Sequence, residues 1–351
     1  IDAIIEAGSG RSIDQLDAEV SAVLQIAVGE LLTDSKGNVY ATVNESVEAI
    51  KQLDNPRASG LVNGVLRGLG RNGMPPLEPD SARELSVPGW LLQAMITDHG
   101  QGEASELLDG LRRGSPAVAV RIRPGGEVPE GANPVQGIAD VYQLTRQPKS
   151  ERGVVFADGA SAAVALAVAP QPGETVLDMA AAPGGKTMSL WDQSQGQATI
   201  IAMDRHRRRL SSAKRRLDNE DVHPVWMLAD GTRTPFGEGS FDAVLLDAPC
   251  TGLGTLRRRP EIAMRLDQKA PRRMARQQRQ MLAEAWRITR PGGRIVYSVC
   301  TTFAAETVGV IAEYPSARPP DLPGRPWGNG LLLAPHITGT DGMFVASIPR
   351  T

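Results

Sequence analysis

The 351-residue sequence predicts an α/β protein, a parallel sheet with helices on both faces, preceded by an all-helical region. Three observations carry that expectation. Apolar residues recur at helical spacing over residues 12–73. From residue 160 onward, short apolar runs alternate with helical patterns. Two of those runs end in the two cysteines of the chain, Cys250 and Cys300.

In chain order, Leu16, Val20, Val23, Leu24, Ala27, Val28, Leu31 and Leu32 mark a first helix. A second covers 44–53 and a third 58–69, where Leu61, Val62, Val65, Leu66 and Leu69 share a face. Segment 71–81, with Pro75, Pro76 and Pro79, reads as a linker. Helices at about 88–99 and 102–112 follow, then an alternating strand at 117–122 and turns at 125–137. A small α/β piece is expected over 117–152. Strands are expected at 175–180, 199–204, 224–229, 242–248 and 294–300, with helices at about 187–194, 205–219 and 271–289. The Pro- and Gly-rich stretch 315–330 reads as a loop, and 342–348 as a last, antiparallel strand. The expected domains are therefore 1–74, 75–152 and 153–351.

Composition narrows the class. Hydrophobic content of 41% fits a globular protein, and no apolar run approaches the roughly 20 residues of a membrane helix. No basic-then-apolar leader is visible, and two cysteines make no disulfide framework, so a reducing cytoplasm is expected. The net charge of −2 hides an asymmetry: residues 1–115 hold 9 Lys/Arg against 17 Asp/Glu. Residues 257–290 carry 11 basic and 3 acidic side chains, and 205–216 carry 7 basic and none acidic. Arginine supplies 32 of the 38 cations, which suits bidentate phosphate contact and points to a polyanionic substrate.

Ligands of doubly wound sheets sit beyond the C-terminal strand ends. There the sequence places Ala180, Ala181, Ala182, Pro183, Gly184, Gly185 and Lys186, small enough for the backbone to approach a ligand closely. Asp204, ending the next strand, is placed to bind ribose hydroxyls, and Asp230 to meet an adenine edge. Gly185-Lys186-Thr187 matches the end of a phosphate-binding loop, but its first glycine would fall at Ala180. No G-x-G-x-x-G is present. S-adenosylmethionine, which has no phosphate, fits better than ATP or NAD. His99, His206, His223 and His336 lack ligand spacing to a cysteine, so no metal is expected.

Methylating carbon 5 of a pyrimidine requires a nucleophile to add at carbon 6, and a thiolate is the natural choice. A second group must then help remove the carbon-5 hydrogen so that the first can leave. Either cysteine could add, and Asp247, three residues before Cys250, could hydrogen-bond the ring nitrogen.

Asp178-Met179-Ala180-Ala181-Ala182-Pro183-Gly184-Gly185-Lys186-Thr187, Asp247-Ala248-Pro249-Cys250-Thr251-Gly252 and Tyr297-Ser298-Val299-Cys300-Thr301 resemble the Sun-type RNA cytosine-carbon-5 methyltransferases. Arg257-Arg258-Arg259-Pro260-Glu261-Ile262 and the linker Leu85-Ser86-Val87-Pro88-Gly89-Trp90 also match. Leu16–Leu32 and Val43 through Arg67 look like the later helices of the antitermination factor NusB. The resemblance implies a Rossmann-like S-adenosylmethionine-dependent methyltransferase domain behind an N-terminally truncated NusB-like domain and a small connector. It implies Cys300 as nucleophile, Cys250 as the group aiding release, and Asp247 between cofactor and base. The implied substrate is small-subunit (16S) ribosomal RNA, methylated by a monomer. The sequence departs from the family at Ala180, usually Cys, and at Val299, usually Thr. The rivals are a tRNA or DNA pyrimidine methyltransferase and a catalytically silent NusB-type RNA-binding protein.

Overall fold

A computed structural model describes residues 1–33, 39–75, 87–112, 118–144 and 153–351. The chain divides into two units, Ile1–Ser86 and Val87–Thr351. Parts of the expected linker (76–81), Leu85 and Ser86 of the linker motif, and residues 117 and 145–152 lie outside the described residues.

The first unit contains helices α1 (Asp2–Ser9), α2 (Ala18–Thr33), α3 (Val39–Gln52) and α4 (Ser59–Asn72). The i, i+3, i+4 apolar stripes explain them: Val20, Leu24 and Val28 of α2 pack with Ile50 of α3 and Val62 and Leu66 of α4. The helix expected at 44–53 begins earlier, at Val39. Helix α1 was not expected; Ile4 and Ile5 are its buried residues, too few to show a period.

The second unit opens with α5 (Gly89–His99) and α6 (Gln101–Arg112). Next come β1 (Val118–Ile122), β2 (Asn133–Pro134), β3 (Val141–Leu144) and β4 (Val154–Phe156), an antiparallel sheet in the order β2-β3-β1-β4. The α/β piece expected over 117–152 thus shows only strands among its described residues, and its sheet is completed by β4 beyond 152.

Helix α7 (Gly159–Val168) leads into the large sheet and is apolar almost throughout. It is capped by Asp158, which accepts from the Ala160 amide at 2.9 Å. The sheet strands are β5 (Thr175–Asp178), β6 (Thr199–Asp204), β7 (Val225–Leu228), β8 (Phe241–Asp247), β9 (Thr289–Val299), β10 (Arg325–Trp327), β11 (Gly330–Leu333) and β12 (Met343–Pro349). They are ordered β10-β11-β12-β9-β8-β5-β6-β7, with β9-β8-β5-β6-β7 parallel and β12 antiparallel to β9, as expected. The interval 315–330 is not all loop: β10 closes it and pairs with β11. Between the strands lie α8 (Gly185–Gln193), α9 (Arg207–Asp218), α10 (Glu261–Arg265), α11 (Ala270–Ile288), α12 (Val308–Ile311) and, before β12, α13 (Pro335–Thr338).

Alternation along β8 sorts the core. Val244 and Leu246 pack with Leu282 and Ala285 of α11 on one face, while Ala243 and Leu245 pack with Val164 and Val168 of α7 on the other. The chain runs outward from β5 through β6 to β7, then returns to β8 beside β5. That reversal creates a crevice at the carboxyl ends of β5 and β8. No helix among the described residues is long and apolar enough to cross a membrane.

Candidate active site

Every strand bordering the crevice delivers a polar or reactive side chain at its carboxyl end: Asp178, Asp204, Asp247 and Cys300. Behind β5, the turn to α8 is tight. Gly184 has φ 98°, and a Cβ there would lie 2.7 Å from Leu217 Cδ1, so glycine is required. The Ala181 amide donates to Met203 O at 2.8 Å, and Arg209 Nη2 donates to Ala182 O at 2.8 Å, pinning the loop to β6 and α9. A cavity of about 270 Å³ is lined by Ala180, Ala181, Ala182, Pro183, Gly185, Lys186 and Asp247. Gly184 stands behind this lining and makes the turn.

Asp178 also lines that cavity and was not singled out in the sequence. It is 1% exposed; its Oδ2 accepts from Thr187 Oγ1 at 2.6 Å, while Oδ1 has no hydrogen-bond partner among the described residues. Burial pushes its carboxyl up to about 6, against the pull of the Thr187 hydrogen bond and the Lys186 charge.

A second cavity, of about 510 Å³, is lined by Asp204, Asp230, Asp247, Cys250 and Cys300, and by Ala180 and Ala182. Ala180, Ala182 and Asp247 border both cavities. Asp204 is buried, accepting from the His206 amide at 2.8 Å and the Ala182 amide at 3.3 Å. Asp230 is exposed, and its Oδ1 accepts from the amide and hydroxyl of Thr232, both at 2.8 Å, which hold its carboxyl below the ordinary value.

Asp247 is clamped from two sides: Lys186 Nζ donates to Oδ2 at 2.7 Å and Ser298 Oγ to Oδ1 at 2.8 Å. Burial works against the Lys186 charge, but Asp247 outweighs it, so the ammonium sits above its usual pKa. The expected methionine-loop residue Lys186 therefore has a second job at the far side of the crevice.

The two sulfurs lie 3.2 Å apart. Their pKa values are pushed in opposite directions. The hydrogen bond from Cys250 lowers the Cys300 pKa, with help from Lys186 and against burial and Asp247. The same contact, with burial, raises Cys250 well above an ordinary thiol. The contact therefore favours ionisation at Cys300 over Cys250.

Sequence reading missed the group that ties the two cysteine loops together. Glu306 is fully buried; its Oε2 accepts from the Thr251 amide and from Gln278 Nε2, both at 3.0 Å. Its Oε1 accepts from Thr251 Oγ1 at 2.5 Å and Thr301 Oγ1 at 3.3 Å. Gln278 also donates to Pro249 O at 2.8 Å. The residues following both cysteines thus meet at one carboxyl, whose pKa burial raises. No periodicity or spacing announces Glu306.

The basic run at 257–259 is not free. Arg257 pairs with Asp341 at 3.3 Å, Arg258 with Asp158 at 2.6 Å and Asp341 at 3.0 Å, and Arg259 with Glu261 at 3.6 Å. Two of its cations pin the chain ahead of β12 and the α7 cap. The run on α9 keeps Arg207, Arg208, Arg215 and Arg216 exposed.

The family of 16S rRNA methyltransferases RsmB/F matches residues 165–349, and the NusB family matches residues 1–71. Ribosomal RNA small subunit methyltransferase B of Thermus thermophilus is 34% identical over 95% of this chain and 81% of its own length. The enzyme of that name from Sodalis glossinidius is 30% identical over 90% and 78%. Among solved structures, that of PH0851 superposes with a TM-score of 0.80 at 25% identity over 99% of this chain and 86% of the other. NSun6 from Pyrococcus horikoshii, solved with SFG, gives 0.65 at 18% identity over 76% and 98%, a likeness of fold.

Proposed function

Because the chain belongs to the RsmB/F family of 16S rRNA methyltransferases, we propose that it methylates carbon 5 of a cytosine in 16S ribosomal RNA through a Cys300–cytosine adduct. It is an S-adenosylmethionine-dependent RNA methyltransferase of the RsmB type. The observation that carries the finer reading is the 3.2 Å sulfur pair with its opposed ionisation, beside the small-residue loop.

The crevice fits the cofactor on its own terms. Asp178 Oδ1 is a buried acceptor without a partner among the described residues, an arrangement that costs free energy until a cation or donor meets it. The amino group of S-adenosylmethionine is such a donor, and residues 180–186 leave room for the methionine part. Asp204 is the acceptor for ribose hydroxyls, and Asp230, exposed at the cavity rim, serves the adenine side. When bound, the cofactor supplies an electrophilic methyl on a sulfonium.

The chain's residues supply the rest. The Cys300 thiolate adds to carbon 6 of the cytosine, and the displaced π electrons make carbon 5 nucleophilic. Asp247, held between Lys186 and Ser298, meets the ring nitrogen: as negative charge builds there, the nitrogen takes a proton from water and donates it in a hydrogen bond to the carboxylate, whose charge the Lys186 ammonium balances. Once carbon 5 carries the methyl, it loses its hydrogen as a proton to water reaching the open cavity. The carbon–sulfur bond then breaks and returns the electron pair to Cys300 as thiolate. Cys250, the protonated neighbour that favours the Cys300 thiolate, aids that release.

The purified chain, given S-adenosylmethionine and a 16S rRNA transcript, should produce a bisulfite-resistant cytosine at a defined position. Resistance appearing only in tRNA or DNA, or in neither, would overturn the substrate assignment.

A further inference from the structure

On the other side of α11 from the thiols, two cavities of about 420 and 560 Å³ adjoin through Arg272 and Ala305. The first lies between α5 and the start of α11, with Trp90, Gln93, Gln268 and Phe303 in its lining. The second runs along α11 past Arg272, Arg276 and Arg279. Helical geometry places those arginines on the face opposite Met274, Gln277 and Met281, which line the thiol cavity. Arg272 and Arg276 are exposed, and neither has an ion-pair or hydrogen-bond partner among the described residues. Arg273 and Arg279, by contrast, are engaged with Asp267 and Gly309 O.

From this arrangement we infer that the groove holds the single-stranded RNA flanking the target cytosine, with Arg272 and Arg276 on its phosphates and Trp90 under a base. The inference rests on the RNA-methyltransferase reading above and deepens it. Partnered cations stabilise the protein, whereas unpartnered ones spaced i, i+4 along a groove present charge to something outside it. Stacked aromatics, side-chain amides and arginines together are what unpaired nucleotides require: a π-face, donors and acceptors for base edges, and cations for the backbone. Trp90 is half-buried and stacked against Phe303, ring centroids 6.3 Å apart and planes 13° from parallel. Gln93 and Gln268 are exposed beside it.

Position supports the same occupant. The loop that leaves Cys300 forms the wall: Phe303 lines the first cavity and Ala305 both. That loop is fixed to α5, since Asp98 accepts from the Ala304 amide at 2.8 Å and His99 Nε2 meets Thr302 O at 2.7 Å. A cytosine must leave its stack to reach Cys300, and where the target lies in a single strand its unpaired neighbours need a surface of their own. The groove one loop away provides it.

The test uses the full chain, a fluorescent single-stranded RNA with a central cytosine and long arms, and a shorter RNA with the arms removed. In Arg272→Ala/Arg276→Ala, affinity for the long RNA should fall at least tenfold. The slope of log K against log salt should shrink by about 1.4, the loss of two single-strand phosphate contacts. The short RNA should bind both proteins equally. Trp90→Ala should weaken long-RNA binding without changing the salt slope, and Trp90→Phe, which keeps an aromatic face, should restore much of it. Wild-type affinity and slope in the arginine variant would overturn the groove, as would equal losses on both RNAs. If wild type transfers no methyl to any RNA, the functional reading fails; methylation by wild type with unaltered long-RNA binding by the variants sinks the groove alone.

Discussion

At the end of β5 a buried carboxyl, Asp178, keeps one oxygen unpaired; beyond β9 another, Glu306, has both oxygens bonded. The two carboxyls follow different rules. The loop side is made of small residues and backbone, with one acidic side chain left short of a partner. On the thiol side Glu306 and Gln278 hold Pro249, Thr251 and Thr301, the neighbours of both cysteines. An unpaired buried acceptor costs stability and persists where a ligand completes it. A saturated one fixes the protein's own atoms, here two sulfurs that must stay in contact.

The comparison breaks most visibly at Glu306. Glu306→Ala strands the Thr251 amide and takes one of two partners from the Thr251 hydroxyl and from Gln278 Nε2, and should lower unfolding free energy by about 3–5 kcal/mol, read from the urea midpoint. A loss below about 1 kcal/mol would show that the thiol side does not depend on this carboxyl. Asp178 should behave oppositely. Its folded pKa of about 6 exceeds the ordinary aspartate value of 3.8, so the folded state holds the proton more tightly and stability falls as pH rises through that window. Asp178→Asn should therefore abolish a loss of about 3 kcal/mol between pH 4 and 6 in cofactor-free protein, while weakening S-adenosylmethionine binding. Identical pH profiles for variant and wild type would remove Asp178 as the strained group. The smallest effect concerns the thiols themselves. Cys250→Ala deletes the donor that favours the Cys300 thiolate, so the pH of half-maximal iodoacetamide alkylation at Cys300 should move upward. An unmoved titration would mean that Cys250 does not set the ionisation of its neighbour.

Much of the crevice was legible in the sequence because each strand ends in the residue that faces it. Asp204, Asp247, Cys250 and Cys300 meet around one cavity, as the order of apolar runs implied. Legibility failed where the signal is not periodic. Helix α7 is apolar on nearly every side, so it offers no stripe, and β3 and β4 are too short to alternate. Glu306 acts only through partners on other elements. The arginines at 257 and 258 read as free cations, because the acids that neutralise them, Asp341 and Asp158, are 84 and 100 residues away along the chain.

The account turns on the division of labour between Cys300 and Cys250, and a denaturing gel of protein incubated with RNA and S-adenosylmethionine tests it most directly. Cys250→Ala should attack, accept the methyl onto the base and stall, leaving a protein–RNA band that survives denaturation. Cys300→Ala should give neither that band nor methylated RNA. The reverse pattern, with the band in Cys300→Ala and none in Cys250→Ala, would contradict the account and make Cys250 the nucleophile.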